Sequence, residues 1–179
     1  VITSDRQTII QADAVVLPGV GAFADAMESL NKAGMADMVK EVVKNNIPFL
    51  GICLGMQLLF EYSEEGGEKV KGLGIFKGAI KQLPSDMGLK VPHIGWNQVY
   101  FKKDSPLSQD IPQGRFFYIA HSFYVLPEEP LIVVGICNYN VVIPAIINQD
   151  NIWGFQFYPE KSSTWGMKVL ESWLRSWKK

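Results

Sequence analysis

An apolar run that ends in a cysteine between two glycines is the feature that most constrains this chain. The run lies within residues 47–60, and Gly51 and Gly55 stand two residues away from Cys53 on either side. A short apolar segment followed by helix-forming residues is typical of a strand that turns sharply into a helix. Glycines suit such a turn because its backbone is strained and neighbouring backbone approaches closely. We therefore predict a strand, a tight turn at Cys53 and a helix.

The predicted turn would give Cys53 the properties of a nucleophile. A cysteine at the start of a helix feels the positive end of the helix dipole, which lowers the pKa of the thiol and favours the thiolate. The backbone N–H of Leu54 would point towards an oxyanion formed when the sulfur attacks. The alternative is a structural cysteine, because cysteine is among the residue types most often buried. The paired glycines favour the nucleophile.

The residues before Cys53 predict a loop at the same edge of a parallel sheet. Residues 14–17 are predicted to form a short buried strand, and residues 18–21 a glycine-containing loop whose N–H groups face a ligand or oxyanion. Residues 25–45 show apolar residues at helical spacing and predict one amphipathic helix. This β-α-β-α order is typical of a parallel sheet, in which ligands bind at the carboxyl ends of the strands. We therefore expect the loop and Cys53 to share one cleft.

The rest of the chain predicts further strands and a closing helix. Residues 63–69 are charged and predict a surface loop, and the final helix is expected to cover the sheet with Met167, Leu170, Leu174 and Trp177. The predicted strands lie within residues 73–99, 116–125, 131–137, 141–148 and 152–157.

Three other residues with reactive side chains are predicted to have non-catalytic roles. Cys137 lies inside an apolar strand without flanking glycines and is predicted to be a core residue. His93 could line a pocket or a partner surface, although a structural role is favoured, and His121 is interpreted as structural or binding rather than catalytic. The neighbouring Ser122 does not make His121 half of a catalytic pair, because consecutive strand residues point to opposite faces.

Composition narrows the functional classes. A chain of 179 residues that is 47% hydrophobic predicts a single domain spanning residues 1–179. The net charge of −1 argues against a nucleic-acid partner, and the one dense basic cluster is Lys178 and Lys179. Two cysteines and two histidines offer neither a disulfide framework nor zinc spacing, which favours a reducing cytoplasmic setting.

Several other classes are also disfavoured by the sequence. No apolar run is long enough to span a bilayer, and residues 1–15 lack the pattern of a signal peptide, so we expect a soluble intracellular protein without a membrane partner. A phosphate-binding loop of the Walker type and a Gly-x-Gly-x-x-Gly motif after a strand are both missing from the sequence. We therefore expect no cofactor and no metal.

Several motifs in a fixed order make the chain similar to a known family. Together they resemble the class I (triad) glutamine amidotransferases, and within them the glutaminase subunits of imidazole glycerol phosphate synthases. The resemblance covers nearly the whole chain. It is carried by residues 18–21, Gly51-Ile52-Cys53-Leu54-Gly55-Met56-Gln57, His93-Ile94-Gly95-Trp96-Asn97, Tyr118-Ile119-Ala120-His121-Ser122-Phe123 and Gly154-Phe155-Gln156-Phe157, and by Pro159-Glu160-Lys161-Ser162-Ser163.

The resemblance implies a fold, a reaction and a partner. The fold would be α/β, a flavodoxin-like three-layer sandwich around a mostly parallel central sheet. The reaction would hydrolyse glutamine to glutamate and ammonia. The ammonia would pass to a cyclase subunit, a (β/α)8 barrel of the HisF type, in a heterodimer that serves histidine biosynthesis and also releases a purine precursor.

The resemblance also implies roles for individual residues. Cys53 would form a glutamyl thioester, and Tyr158 and Glu160 occupy the other two positions of the catalytic triad. The oxyanion contacts would come from Val20, Gly21 and Leu54. The substrate would be held by Gln57, Ser122 and Phe123. Residues near the cyclase interface would be Trp96, Tyr118 and Lys161.

The chain departs from the family pattern in two places. The family opens with an additional strand and helix, and this chain begins about one such unit later, as expected either of a domain without that unit or of a fragment. The family's catalytic histidine falls at Tyr158. A tyrosine with a pKa of about 10 is a poor base at neutral pH, and loss of a triad member costs on the order of 10⁴ in rate. Glu160 would then lack the imidazole that it orients.

Three functional hypotheses follow. The first is an ammonia-supplying glutaminase subunit whose activity is severely impaired by Tyr158. The second is a non-catalytic subunit that binds glutamine or docks a barrel partner. The third is an amidotransferase subunit of another synthase, for example one that aminates a surface sugar.

Overall fold

The computed structural model describes residues 1–85, 88 and 90–177, so Lys178 and Lys179 lie outside the described residues. The helices in this part of the chain are α1 (Arg6–Ile10), α2 (Phe23–Lys32), α3 (Met35–Lys44), α4 (Leu54–Gln57), α5 (Pro106–Asp110) and α6 (Ser163–Arg175). The strands are β1 (Val15–Gly19), β2 (Phe49–Cys53), β3 (Phe60–Ser63), β4 (Val70–Lys71), β5 (Phe76–Gln82), β6 (His93–Phe101), β7 (Arg115–His121), β8 (Phe123–Pro127), β9 (Val133–Asn138), β10 (Val142–Gln149) and β11 (Ile152–Phe155). No helix in the described ranges is long and apolar enough to cross a membrane.

The main sheet carries the predicted parallel strands at one end. Its order is β1-β2-β11-β10-β9-β6-β7, with β1, β2 and β11 parallel to one another and the remaining neighbours antiparallel. Gly19 pairs with Cys53, and Phe155 pairs with Ile52. The carboxyl ends of the three parallel strands therefore meet at one edge, as in other open α/β sheets that bind ligands there.

The main sheet separates two hydrophobic clusters, which confirms the predicted layered α/β fold class. Because side chains alternate along a strand, Phe49 belongs to the cluster that contains α1, α2, α3 and the second sheet, whereas Leu50 belongs to the cluster that contains α5 and α6. Ile152 and Trp153 divide between the clusters in the same way. The sheet is thus covered on both faces.

A second sheet of order β4-β3-β5-β8 lies beside the nucleophile region. The predicted aromatic strand over residues 116–125 is wrong in this respect, because the chain leaves the main sheet after His121 and enters the second sheet at Phe123. Ser122 lies between the strands, and its carbonyl oxygen accepts a hydrogen bond from the Leu83 N–H at 2.8 Å. The aromatic residues fit either sheet, so the pattern did not reveal the break.

The single helix predicted over residues 25–45 is also wrong. Two helices, α2 and α3, occupy this segment and are separated at Gly34, whose φ of +67° is left-handed. Only glycine adopts this conformation without a steric penalty. The apolar spacing continued through the break and concealed it.

Helix α6 covers the sheet as expected, but with a different face. Met167 and Leu174 are 54% and 45% exposed, whereas Val169 and Trp173 are buried. Leu170 and Trp177 are partly buried against the core. Apolar residues occur at helical spacing on two neighbouring faces of α6. The face with Val169 and Trp173 packs against the main sheet, and the predicted face with Met167 and Leu174 does not.

Candidate active site

The turn at Cys53 has the strained geometry that the glycine spacing predicted. Cys53 has φ +53° and ψ −112° at the junction of β2 and α4. A Cβ atom on Gly55 would lie 1.9 Å from the Leu17 carbonyl oxygen, and one on Gly51 would lie 2.7 Å from the Gly55 carbonyl oxygen. Both distances are far below contact distance. The elbow therefore requires glycine at both positions because backbone packs on backbone there.

The prediction of a lowered thiol pKa is wrong. Cys53 is buried, and burial raises the pKa of its thiol above the ordinary value. Burial is the largest effect, and the Glu160 charge also raises the pKa, whereas hydrogen bonds from the Tyr158 hydroxyl, the Leu54 N–H and the Gln156 amide lower it. Helix α4 has only four residues, so it supplies a single turn of aligned peptide dipoles. The resting thiol is protonated at neutral pH.

Cys53 nevertheless lines a cavity at the edge where the parallel strands end. Among the described residues, those lining it are Val20, Gly21, Cys53, Leu54, Gln57, Glu65, Ala120, His121, Ser122, Phe123 and Tyr158. The structure thus brings the three proposed oxyanion residues and the three proposed substrate-binding residues to the cavity that contains the sulfur. Cys137, by contrast, lies in the core, where burial raises the pKa of its thiol to about 12.

The loop after β1 approaches Cys53 as predicted, although it begins later. Strand β1 continues through Pro18 and Gly19, so the loop proper starts at Val20. Glu65 accepts a hydrogen bond from the Phe23 N–H at 2.7 Å, and Ala22 makes no side-chain cap at the start of α2. Glu65, which also lines the cavity, therefore holds the end of this loop in place.

Position 158 lies beside the sulfur and carries a hydroxyl with a raised pKa. Tyr158 is buried, and burial raises the pKa of its hydroxyl well above the ordinary value, with its hydrogen bond to Cys53 acting in the same direction. The hydroxyl remains protonated at neutral pH, as the sequence argument expected. Glu160 lies on the 3₁₀ turn Pro159–Lys161, outside the cavity lining.

An aromatic strip connects Tyr158 to the exposed edge of the sheet. Lys161 Nζ lies 4.8 Å from the ring centre of Tyr158 and 6.0 Å from that of Tyr118. The rings of Tyr118 and Trp96 meet edge to face at 6.1 Å. Trp96 is 52% exposed. The three predicted interface residues therefore form one continuous contact from the surface to the cavity wall.

The two histidines form a buried hydrogen-bonded pair with a defined polarity. His121 Nδ1 lies 2.8 Å from the Phe123 carbonyl oxygen, and because a carbonyl only accepts, Nδ1 carries the proton. His93 Nδ1 then donates to His121 Nε2 at 3.0 Å, and Asn97 Nδ2 donates to His93 Nε2 at 3.3 Å. Burial lowers the pKa of His121 to about 4 and also lowers that of His93. Both rings are neutral at pH 7.

Three cavity features were missed by sequence reasoning. Glu65 was assigned to a surface loop, and nothing in its charged surroundings distinguishes it. Ala120 contributes a carbonyl oxygen 3.9 Å from the sulfur, to which the thiol donates, and a backbone atom leaves no sequence signal. Gln156 could have been found, since it is a polar side chain inside the apolar run 152–157 and is fully buried. Its Nε2 lies 3.8 Å from the sulfur.

Within the described residues, no group of three or more His, Cys, Asp and Glu side chains is placed to hold a metal ion.

Comparison with known proteins places this geometry in a family. Residues 2–177 match the family model described as glutamine amidotransferase class-I. The chain is 47% identical over 171 residues to the imidazole glycerol phosphate synthase subunit HisH of Moorella thermoacetica, covering 96% of this chain and 80% of that relative. It is 49% identical over 158 residues to the subunit of the same name from Desulfitobacterium hafniense, covering 88% and 74%.

A solved structure supports the fold independently of close sequence similarity. A crystal structure described as a glutamine amidotransferase superimposes with a TM-score of 0.69 at 13% sequence identity, over 96% of this chain and 84% of that one. At this identity the likeness concerns the fold alone.

Proposed function

The chain belongs to the class-I glutamine amidotransferase family, and we propose that it is the glutaminase subunit of an imidazole glycerol phosphate synthase in histidine biosynthesis. The relatives named as HisH subunits support this assignment. The observation that carries it in the structure is the strained Cys53 elbow, which lines one cavity together with Val20 and Gly21.

The cavity fits cleavage of a carboxamide through a thioester. The Cys53 sulfur attacks the side-chain amide carbon of glutamine, and the carbonyl oxygen becomes an oxyanion that accepts hydrogen bonds from N–H groups of Leu54 and the Val20–Gly21 loop. The C–N bond then breaks and ammonia leaves after taking up a proton. Water hydrolyses the glutamyl thioester to glutamate and restores the thiol.

The lining of the cavity suits the rest of the glutamine molecule. Glu65 is the one carboxylate among the described lining residues, and it complements the α-ammonium group of an amino acid. Gln57, Ser122 and Phe123 also line the cavity, with amide, hydroxyl and backbone groups. These groups would hold the polar end of glutamine while its carboxamide reaches the sulfur.

The proton transfer is the weak step of this chain. Hydrolysis needs a group that takes the thiol proton and gives it to the leaving ammonia, with a pKa near ambient pH. The pKa of Tyr158 is shifted upwards, away from that range, and Glu160 has no imidazole to orient. We infer that the unaltered chain hydrolyses glutamine on the order of 10⁴-fold more slowly than a site that contains the histidine.

The partner we propose is a cyclase subunit, a (β/α)8 barrel of the HisF type, in a heterodimer in the cytoplasm. Trp96, Tyr118 and Lys161 would lie at its interface, since they join the exposed sheet edge to the cavity. We propose that the chain forms one domain in this assembly.

The test mixes this chain with a cyclase subunit from an imidazole glycerol phosphate synthase and measures glutamate release from glutamine. We expect little release by the unaltered chain and a gain of about 10³-fold or more for Tyr158→His. The control Cys53→Ala/Tyr158→His should be inactive. Rapid hydrolysis by the unaltered chain would refute the impairment, and an inactive Tyr158→His variant that binds the cyclase would refute the assignment of position 158.

A second candidate is a non-catalytic subunit that binds glutamine or docks the barrel without hydrolysis. The combination of a complete cavity with a protonated Tyr158 favours it. Calorimetry of the unaltered chain, combined with a glutamate assay, tests this candidate. Heat on adding glutamine without glutamate release supports this candidate, and the absence of heat with both glutamine and cyclase removes it.

A further inference from the structure

We propose that Gln156 stabilises the thiolate of Cys53 by donating an amide N–H to the sulfur, and that the Phe123 carbonyl imposes this orientation through Gln57. The inference rests on the proposed role of Cys53 as the nucleophile. It assigns a further catalytic residue, because the Gln156 amide touches the reacting atom.

One backbone oxygen sets the direction of the hydrogen bonds around the sulfur. The Phe123 carbonyl accepts from Gln57 Nε2 at 2.8 Å and from His121 Nδ1 at 2.8 Å. A carbonyl oxygen has two lone pairs and no proton to give, so both partners must present N–H groups. The amide of Gln57 is therefore held with its nitrogen towards Phe123.

The orientation of Gln57 determines that of Gln156. The second N–H of Gln57 donates to Gln156 Oε1 at 3.2 Å. This leaves Gln156 Nε2 on the other side of its amide, 3.8 Å from the Cys53 sulfur. A flipped Gln156 amide would place two N–H groups face to face in a fully buried position, where an unsatisfied polar group is costly. The buried network thus presents a donor, not an acceptor, to the sulfur.

A neutral, permanently protonated donor is useful at this site. Burial disfavours the Cys53 thiolate and the Glu160 charge repels it, while position 158 supplies a hydroxyl in place of an imidazolium. An amide keeps its protons at every pH at which the protein is folded. Gln156 therefore favours the thiolate whatever the protonation state of the other groups around the sulfur.

The test measures alkylation of Cys53 by iodoacetamide, which consumes the thiolate and requires no glutamine. A Cys137→Ala background leaves Cys53 as the one thiol of the chain. Gln156→Met keeps the length of the side chain and removes the donor, and we expect the rate at pH 8 to fall about tenfold because a hydrogen bond to a charged group is lost. The deficit should narrow as the pH is raised towards 10.5, where both proteins hold more thiolate.

The matched control is Gln98→Met in the same background. Gln98 is half-buried and donates to the Gly114 carbonyl at 3.1 Å, in a separate part of the sheet, and its rate should stay within about twofold of the parent because no contact to the sulfur is lost. An unchanged rate in folded Gln156→Met would overturn the proposal. A deficit of equal size at every pH would also overturn it, since this indicates altered access to the thiol.

A second measurement covers the case in which Gln156→Met does not fold. In the ¹⁵N-labelled Cys137→Ala protein, the side-chain amide proton resonances of Gln156 should move as Cys53 ionises, and they should not move over that range when Cys53→Ala is added. Resonances that ignore the ionisation would overturn the proposal. Because both measurements omit glutamine, a failure here is distinct from a failure of the proposed glutaminase function.

Discussion

At the scale of single residues, Glu65 joins two parts of the cavity. It accepts a hydrogen bond from the Phe23 N–H and contributes a negative charge to a cavity proposed to hold an amino acid. Gln at this position still accepts from Phe23 but lacks the charge. A Glu65→Gln substitution therefore removes the charge and keeps the hydrogen bond that holds the loop.

We predict that Glu65→Gln weakens glutamine binding by about tenfold to a hundredfold, because a charge-assisted hydrogen bond is worth about 1.5–3 kcal/mol. Calorimetric titration of glutamine into the chain measures this change. Glu68→Gln is the control, since Glu68 is exposed in the same loop and outside the cavity lining. Equal affinities of the two variants would contradict the role of Glu65.

The histidine pair predicts a pH dependence of stability. In the folded protein the pKa of His121 is about 4, against an ordinary value of 6.5. A depressed pKa means that the stabilisation is present above about pH 6.5 and is lost as the pH falls towards 4, because the unfolded chain binds the proton first. The shifted pKa of His121 corresponds to a loss of about 3 kcal/mol in the free energy of unfolding over this pH range.

We expect the free energy of unfolding in urea to fall between pH 7 and pH 4.5 by more in the unaltered chain than in His121→Gln. Carboxylates titrate in the same range in both proteins, so the difference isolates the histidine. Parallel pH profiles of the two proteins would contradict the assignment of neutral rings.

At the scale of elements, the packing of β1 against the turn after β2 explains why the elbow was readable from sequence. The contact of Gly55 with the Leu17 carbonyl is a backbone contact, so the requirement for glycine follows from local geometry. Gly34 shows a different requirement, since a Cβ there would meet nothing within 4 Å but φ is +67°. The two glycines allow crowding and backbone strain to be compared.

We predict that Gly55→Ala destabilises the fold by about 3 kcal/mol or more, because β1 or α4 must move. Gly34→Ala should cost about 1 kcal/mol, since it pays only for the left-handed conformation. Urea unfolding of both variants provides the measurement. A loss at Gly55 no larger than that at Gly34 would show that the elbow accommodates a side chain.

At the scale of the whole molecule, the strip from Trp96 to Tyr158 links a surface to the cavity. Trp96 is half exposed and pairs with Tyr118, and Lys161 spans Tyr118 and Tyr158. A partner that covered Trp96 would therefore contact one end of a strip of side chains whose other end, Tyr158, lies beside Cys53.

We predict that Trp96→Ala lowers affinity for the cyclase subunit by about 30-fold, as buried interface tryptophans contribute about 2 kcal/mol or more. The stability of the isolated chain should change little, because the indole is half exposed. Leu131→Ala, at an 84% exposed residue beside β9, is the control and should bind normally. Unchanged binding of Trp96→Ala would place the interface elsewhere.

The sequence by itself determined the elbow and the parallel arrangement of β1 and β2. These depend on glycine spacing and strand order, which are local or nearly local. It also predicted that Tyr158 would be protonated, because the ordinary pKa of tyrosine is already far above neutral. Tertiary burial strengthens that conclusion and does not alter it.

Only the tertiary structure decided the charge of Cys53, the break at Ser122, the buried face of α6 and the role of Gln156. The thiol pKa depends on how much water is excluded by distant segments, and desolvation there outweighs the dipole of a four-residue helix. The direction of the amides follows from the Phe123 carbonyl, 66 residues after Gln57 in the chain. Such effects arise from groups that meet only after folding, so no local pattern contains them.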